Sequence, residues 1–352
     1  IGPVPGMKNY WVAVGVMAGF CQGGGVGKCI AEWIIDGEPS IDVWAMDVAR
    51  FGDYASPQYG TIKSSENYER RFIMTFPNET LPKGRKQKTT ALYDRFVNQG
   101  AVMGDSFGLE NVLWFANNKE DAHEEPTIKR SRSHDYVSKE VINVRENVGL
   151  IEVANFSKHE FKGPDARKFL DHIMAGRLPK PGRISLSPML SYRGKLCGDL
   201  TVACLDENEF MVFGSGAAQE MHRRWFESHL DRFNLNYKNR SDEFHGLSIA
   251  GPNSRKVLEK IVRDDVSNEK FKFRDSRRMF VGGVPAIINR ISFTGELGYE
   301  IYVAPHYQLK LYEELMEAGK EFNIKPFGGR ALMSMRLEKN WGAWTLDYRP
   351  DF

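Results

Sequence analysis

Three stretches of this sequence place chemically useful residues where their neighbours make them conspicuous. In Leu196-Cys197-Gly198-Asp199-Leu200-Thr201-Val202-Ala203 an aspartate interrupts a run suited to a strand. Asp is disfavoured in strands. Asp199 is therefore either a residue at a bulge or strand end beside Gly198, or a carboxylate placed to move a proton or steady a cation. The spacing leaves both readings open. In Ser292-Phe293-Thr294-Gly295-Glu296-Leu297-Gly298-Tyr299-Glu300-Ile301-Tyr302, Glu300 lies inside a run that reads as half-buried. A buried carboxylate is costly unless it is paired or hydrogen-bonded. Spacing by itself favours an exposed Glu on an edge strand; the sharper alternative is an acceptor for a ligand's N–H groups. The third stretch is Gly23-Gly24-Gly25-Val26-Gly27. A glycine-rich turn before a helix can aim backbone N–H groups at a phosphate. It is not a P-loop, because Gln22 stands where the first Gly belongs and Cys29 where Ser or Thr belongs. Nor is it a clean dinucleotide fingerprint, and a purely structural glycine turn fits at least as well.

The elements that must position these residues follow from periodicity and breakers. Asn9–Gly15 reads as a buried strand, the glycine stretch as a turn, and Lys28–Asp36 as a helix ended by Gly37 and Pro39. Lys195–Gly214 reads as a hairpin: strand Leu196–Ala203, turn Asp206–Glu209, return Phe210–Phe213. Ile291–Val303 reads as a second hairpin that turns at Gly295 and Gly298. Between them lie a polar loop, Asn78–Lys88, a helix over Thr89–Gln99, and a very polar stretch, Ala116–Lys139, expected to be a solvated loop.

An internal repeat organises the second half. Gly163-Pro164-Asp165-Ala166-Arg167-Lys168-Phe169-Leu170 recurs as Gly251-Pro252-Asn253-Ser254-Arg255-Lys256-Val257-Leu258. Each copy follows an apolar run (Ile151–Phe161 and Phe244–Ala250), and Gly-Pro is expected to open a helix with Pro in its first turn. The period is too long for a solenoid. Two related α+β halves about a pseudo-twofold axis, with a cleft for a small molecule between them, fit better.

A chain of 352 residues has room for two or more domains, and 41% hydrophobic with 27% charged residues is ordinary globular composition. The net charge of +2 gives no reason to expect nucleic acid or a membrane surface, and no aromatics interleave with the charges of 116–139. Cys21, Cys29, Cys197 and Cys204 match no metal spacing and no disulfide framework, so no metal is expected. The apolar run after Met7-Lys8 is too short to span a membrane and lacks the setting of a signal peptide.

TGELGYEIYV (294–303) and KPFGGRALMSMRLEK (325–339) resemble the folate-binding domain of the aminomethyltransferase family, which includes the glycine-cleavage T-protein. The version found in dimethylglycine and sarcosine dehydrogenases is the nearer match. GPVPGMKNYWVAVGVMAGFCQGGGVGKCIAEWIIDGEP (2–39) resembles the last segment of the FAD domain of amine oxidoreductases, and residues 52–108 resemble the small domain joining the two. The resemblance implies an α+β chain in three parts: the end of an FAD domain (1–51), a middle domain (52–108) and a pseudo-duplicated folate-binding domain (109–352). It also implies a GxGxxG segment upstream, a C-terminal barrel downstream, and no amine oxidation by this piece alone.

The activity implied is demethylation of an N-methyl glycine derivative, dimethylglycine or sarcosine, with FAD. The one-carbon unit passes to tetrahydrofolate, and a protein accepts the electrons. A folate-dependent aminomethyltransferase without amine oxidation, and a folate-binding module without chemistry, are the alternatives. By the same resemblance Asp199 acts on the reactive amine of tetrahydrofolate and Glu300 binds the pterin edge. Arg330 and Arg336 contact the cofactor, and Phe293 packs where T-proteins carry Tyr. Gly23, Gly24, Gly25, Val26 and Gly27 lie against FAD. Gly198 and Ala203 depart from the T-protein pattern, which carries Asp and an aromatic there. The compartment implied is the bacterial cytoplasm or the mitochondrial matrix.

Overall fold

The computed structural model describes residues 1–344 and 346–348. The chain opens with a short antiparallel pair, β1 (Gly2–Pro3) and β2 (Trp11–Val12), followed by α1 (Phe20–Asp36). The strand expected over Asn9–Gly15 thus shrinks to two residues, and Tyr10 and Val14 are exposed. The expected glycine turn is helix. Val26, Cys29, Ile30 and Trp33, spaced one turn apart, pack with Ile1 and Val43. That contact outweighs a helix penalty of about 1 kcal/mol per glycine. Gly37, at φ 84°, closes α1 in the left-handed conformation as expected.

Next come α2 (Pro57–Glu69), α3 (Tyr93–Asn98), the hairpin β3 (Ala101–Ser106) and β4 (Leu109–Phe115), α4 (Ser133–Glu146) and β5 (Val148–Glu152). The first repeat copy lies in β6 (Phe156–Lys162) and α5 (Ala166–Ile173). It is followed by β7 (Arg183–Leu190), β8 (Leu196–Asp206), β9 (Glu209–Ser215), α6 (Gln219–Glu227) and β10 (Asn236–Asn239). The second copy lies in β11 (His245–Ala250) and α7 (Ser254–Glu259). Then come β12 (Ser276–Val281), β13 (Val284–Asn289), β14 (Gly298–Val303), α8 (Gln308–Ala318), β15 (Ile324–Pro326) and α9 (Gly329–Glu338).

Two units result. The first comprises Ile1–Asp53, Phe156–Arg240 and Gly342–Phe352. Its sheet runs β10-β6-β9-β8-β7, all antiparallel, and its core joins Leu200, Val202 and Phe210 to Phe169 of α5 and Phe226 of α6. The second comprises Tyr54–Asn155 and Ser241–Trp341. Its sheet runs β12-β13-β14-β11-β5-β15, antiparallel except for β15 beside β5. Val257 of α7 and Leu311 and Leu315 of α8 complete that core. Sheets and helices mixed in this way make the α+β class expected. The 109–352 domain expected from the resemblance runs past the last described residue. Among the described residues no helix is long and apolar enough to cross a membrane.

The repeat is real at the backbone. Gly163 (φ 140°) and Gly251 (φ 132°) each join a strand to a helix in a conformation that side chains rarely adopt. Pro164 and Pro252, expected inside the first helical turn, instead precede it, because Asp165 and Asn253 have ψ near zero and start the helix after themselves. Three other expectations are corrected. The helix expected over Thr89–Gln99 is confined to α3. The polar stretch 116–139 is not simply a solvated loop: α4 begins within it, and Tyr136 stacks on the buried Trp114 at 5.0 Å. The first strand of the second hairpin is β13, so Ile291 and Phe293 lie in the connection before β14.

Candidate functional site

In the first unit, Asp199 sits on β8 opposite Pro188 of β7. The register passes from Met189↔Gly198 to Leu190↔Leu196, so Cys197 is an extra residue, a bulge. Bulges re-aim the side chains next to them. Leu200, Val202 and Cys204 point into the core. The alternation of a strand therefore sends Asp199 and Thr201 to the other face. Asp199 is half-buried, and among the described residues its carboxylate has no hydrogen-bond or ionic partner. Burial alone pushes it up to about 6. The residue thus stands beside a bulge, as one sequence reading has it, and its carboxylate is unpartnered among the described residues.

In the second unit, Glu300 lies on β14, which β11 and β13 flank, so it is on a central strand and not an edge. It is only 8% exposed. Pairing sets a buried polar row across the sheet: Ser276 opposite Asn289, Asn289 opposite Glu300, and Glu300 opposite Ser248. The Tyr302 hydroxyl, two residues along the same face, donates to Glu300 Oε2 at 2.9 Å. Burial, then the charge of Glu300, hold the Tyr302 phenol far above its ordinary range, so it stays a donor. Ser276 Oγ donates to Asn289 Oδ1 at 2.7 Å, while the buried Asn289 Nδ2 has no partner among the described residues. Lys339 donates to Ser292 O at 3.0 Å; burial lowers its pKa and Glu300 opposes the shift. The arrangement is an acceptor with an unused amide donor beside it, which suits a planar ligand carrying both N–H and acceptor atoms.

The remaining sequence candidates are placed differently. Arg330, at the start of α9, donates to Ser133 Oγ at 2.6 Å and to Glu124 Oε2 at 2.7 Å. Arg336 is buried and donates to Trp341 O at 2.8 Å. Phe293 is half-buried in the connection before β14. Gly23, Gly24, Gly25, Val26 and Gly27 lie within α1, where Gly23 N–H already donates to Gly19 O at 3.0 Å. A helix interior offers no free N–H groups to a phosphate, so these glycines form neither the turn expected there nor an N–H cradle. Among the described residues no cluster of His, Cys, Asp and Glu could hold a metal.

Sequence reasoning missed Asn289 and Ser248, which strand register sets opposite Glu300, and Lys339 at the end of α9, whose charge interacts with that of Glu300. Tyr302 was within its reach, being two residues from Glu300 in a strand pattern. It also missed a cavity of about 760 Å³ within the first unit, whose walls include Trp11, Trp33, Cys197, His222, Trp225 and Trp344.

Comparison with known proteins agrees with this architecture. The family described as GCVT N-terminal domain matches residues 92–352, and that described as FAD dependent oxidoreductase central domain matches residues 36–90. The chain belongs to the GCVT N-terminal domain family. It is 36% identical to the mitochondrial dimethylglycine dehydrogenase of Homo sapiens, over 100% of this chain and 41% of that protein. It is 27% identical to the mitochondrial sarcosine dehydrogenase of Homo sapiens, over 100% of this chain and 43% of that protein. The chain thus spans less than half the length of these relatives. Among solved structures, the glycine cleavage system aminomethyltransferase T from Bartonella henselae matches with a TM-score of 0.63. That match has 23% identity over 75% of this chain and 66% of that one, and it shows the fold.

Proposed function

We propose that this chain is the folate-handling part of an FAD-dependent enzyme that demethylates an N-methyl glycine derivative such as dimethylglycine or sarcosine. The observation that carries this reading is Asp199: an unpartnered carboxylate, aimed from a bulge, in a member of a folate-domain family. Tetrahydrofolate, when bound, supplies the amine nitrogens that take up the one-carbon unit. The residues of this chain supply the rest. Glu300, held by Tyr302, accepts hydrogen bonds from the N–H edge of the pterin, and the Asn289 amide adds a donor. Charge-assisted hydrogen bonds of this kind are the strong ones. Asp199, with its pKa raised to about 6, is ionised at neutral pH yet close enough to it to accept a proton. That suits a general base, and its negative charge favours a cationic carbon centre.

The dehydrogenase part of the proposal rests on the central-domain match and on the named relatives. The glycines of α1 do not fit a flavin phosphate cradle, so no flavin step is assigned to them. Arg330 and Arg336 are spent on contacts within the chain, and we assign them to holding the fold around the site. A small amine as substrate and a protein electron acceptor belong to the same reading, and the mitochondrial relatives support the mitochondrial matrix as compartment, with the bacterial cytoplasm as the alternative.

The test is equilibrium binding of tetrahydrofolate to this chain and to Glu300→Ala and Asp199→Asn, followed by one-carbon capture in the longer enzyme. Binding lost in Glu300→Ala, with binding kept but capture lost in Asp199→Asn, supports the division of roles. Undiminished capture by Asp199→Asn overturns it.

A further inference from the structure

We infer that His222 and Trp344 are positioning residues for Asp199: as a stacked pair they hold the two carbonyls at the start of β8 and so fix the bulge from which Asp199 projects. The role given to Asp199 rests on the function proposed above. The clamp itself stands on geometry. His222 Nε2 lies 3.2 Å from the carbonyl oxygen of Cys197, the bulge residue. A carbonyl only accepts, so this nitrogen carries the proton and donates. Trp344 Nε1 donates to the carbonyl of Leu196, also at 3.2 Å. The two rings stack, with centroids 5.2 Å apart and planes 29° from parallel. A third bond, Cys197 Sγ to Met189 O at 3.3 Å, ties the bulge to β7.

Two glycines border the imidazole, Gly198 most closely. A Cβ on Gly198 would stand 3.0 Å from His222 Nε2 and 3.1 Å from Met189 Cε. One on Gly214 of β9 would meet Leu200 Cδ2 first, at 2.6 Å, then Ser157 Oγ at 3.1 Å and Nδ1 of the same ring at 3.2 Å. Contacts near 3 Å make a neighbour give by a few tenths of an ångström, so a side chain at Gly198 presses directly on the ring, and one at Gly214 presses on Leu200 first and on the ring after it. The ring is no base. It is buried, and burial lowers its pKa to about 4, so it remains a neutral donor at neutral pH. Three side-chain bonds thus hold Leu196 and Cys197, just before Asp199, and tie Cys197 to Met189 of β7, while the Asp199 carboxylate has no partner among the described residues.

The experiment reads the placement of Asp199 through its carboxyl titration, followed by carbon-13 NMR of aspartate-labelled chain with Asp199→Asn to assign the signal. Burial raises that carboxyl, so a bulge shifted toward or away from solvent moves its titration. His222→Phe keeps a ring and loses the donor, and should move the midpoint by about half a unit or more toward the ordinary carboxylate range. His222→Gln restores a donor and should bring it back. Gly198→Ala, whose Cβ presses on the ring, should act in the direction of His222→Phe, and Trp344→Phe should give a smaller shift. An unchanged midpoint in His222→Phe, or in Gly198→Ala and Trp344→Phe should His222→Phe not fold, overturns the clamp. Intact one-carbon capture in Asp199→Asn would overturn the role of Asp199 while leaving the clamp standing, because titration reports position and not chemistry.

Discussion

Asp199 and Glu300 are both carboxylates on sheet strands, yet their surroundings differ in kind. Asp199 follows a bulge, is half-buried and has no partner among the described residues. Glu300 lies in the middle of a sheet, is almost wholly buried and is held by Tyr302 within a polar row. A carboxylate without partners is free to exchange a proton, whereas one fixed by a phenol is a stationary acceptor. The contrast teaches that neighbours, more than residue type, divide the labour between two acids.

Glu300→Ala should produce the largest effect: a loss of tetrahydrofolate affinity of about 2–3 kcal/mol, the worth of a charged hydrogen bond. Asp199→Ala should change affinity by less than about threefold. Calorimetry on both variants checks this, and equal losses would erase the distinction. The repeat offers a second comparison. A Cβ on Gly251 would lie 2.5 Å from Val144 O and 2.6 Å from Asn147 O, whereas one on Gly163 would lie 2.9 Å from Leu235 Cα. Both also need positive φ. Gly251→Ala should therefore destabilise by about 2 kcal/mol or more and Gly163→Ala by less, as read by denaturant unfolding. Tyr302→Phe removes one hydrogen bond from Glu300 and should weaken folate binding by about 1 kcal/mol, measured in the same titration.

The pH response should also differ between the units, as a slope and not a large loss. In the first unit, His222 is held down to about 4 by burial. Its unfolded form takes a proton first, so its share of stability is intact above about 6.5 and is lost as pH falls toward 4. In the second unit, Glu140 is raised to about 7 by burial, against hydrogen bonds from the N–H groups of Gly328 and Phe115. Its share is intact below about 4.5 and is lost as pH rises through 7. Differences in Tm between wild type and His222→Gln, and between wild type and Glu140→Gln, should slope in opposite directions with pH. Parallel slopes would show that the two buried groups are not set apart in this way.

Much of the frame was legible. The α+β class, the β8–β9 hairpin, the Gly37 stop and the repeated strand-glycine-helix joint all follow from local pattern, because turn chemistry and period act within a few residues. The glycine stretch of α1 was not legible, since packing of Val26, Cys29, Ile30 and Trp33 overrode its propensity. The centrality of Glu300 was hidden as well. Its run reads the same on an edge strand as between two neighbours, and only the pairing with β11 and β13 distinguishes them.

By itself, then, the sequence determined which carboxylates deserved suspicion and which repeats would carry them. Those signals are short-range, written in alternation, glycine and proline. Tertiary structure alone decided that Asp199 stands without a partner among the described residues, that Glu300 is locked to Tyr302 beside Asn289, and that His222 and Trp344 reach the bulge at Cys197. Those facts depend on register and on contacts between residues far apart in the chain, and no local pattern encodes such distances.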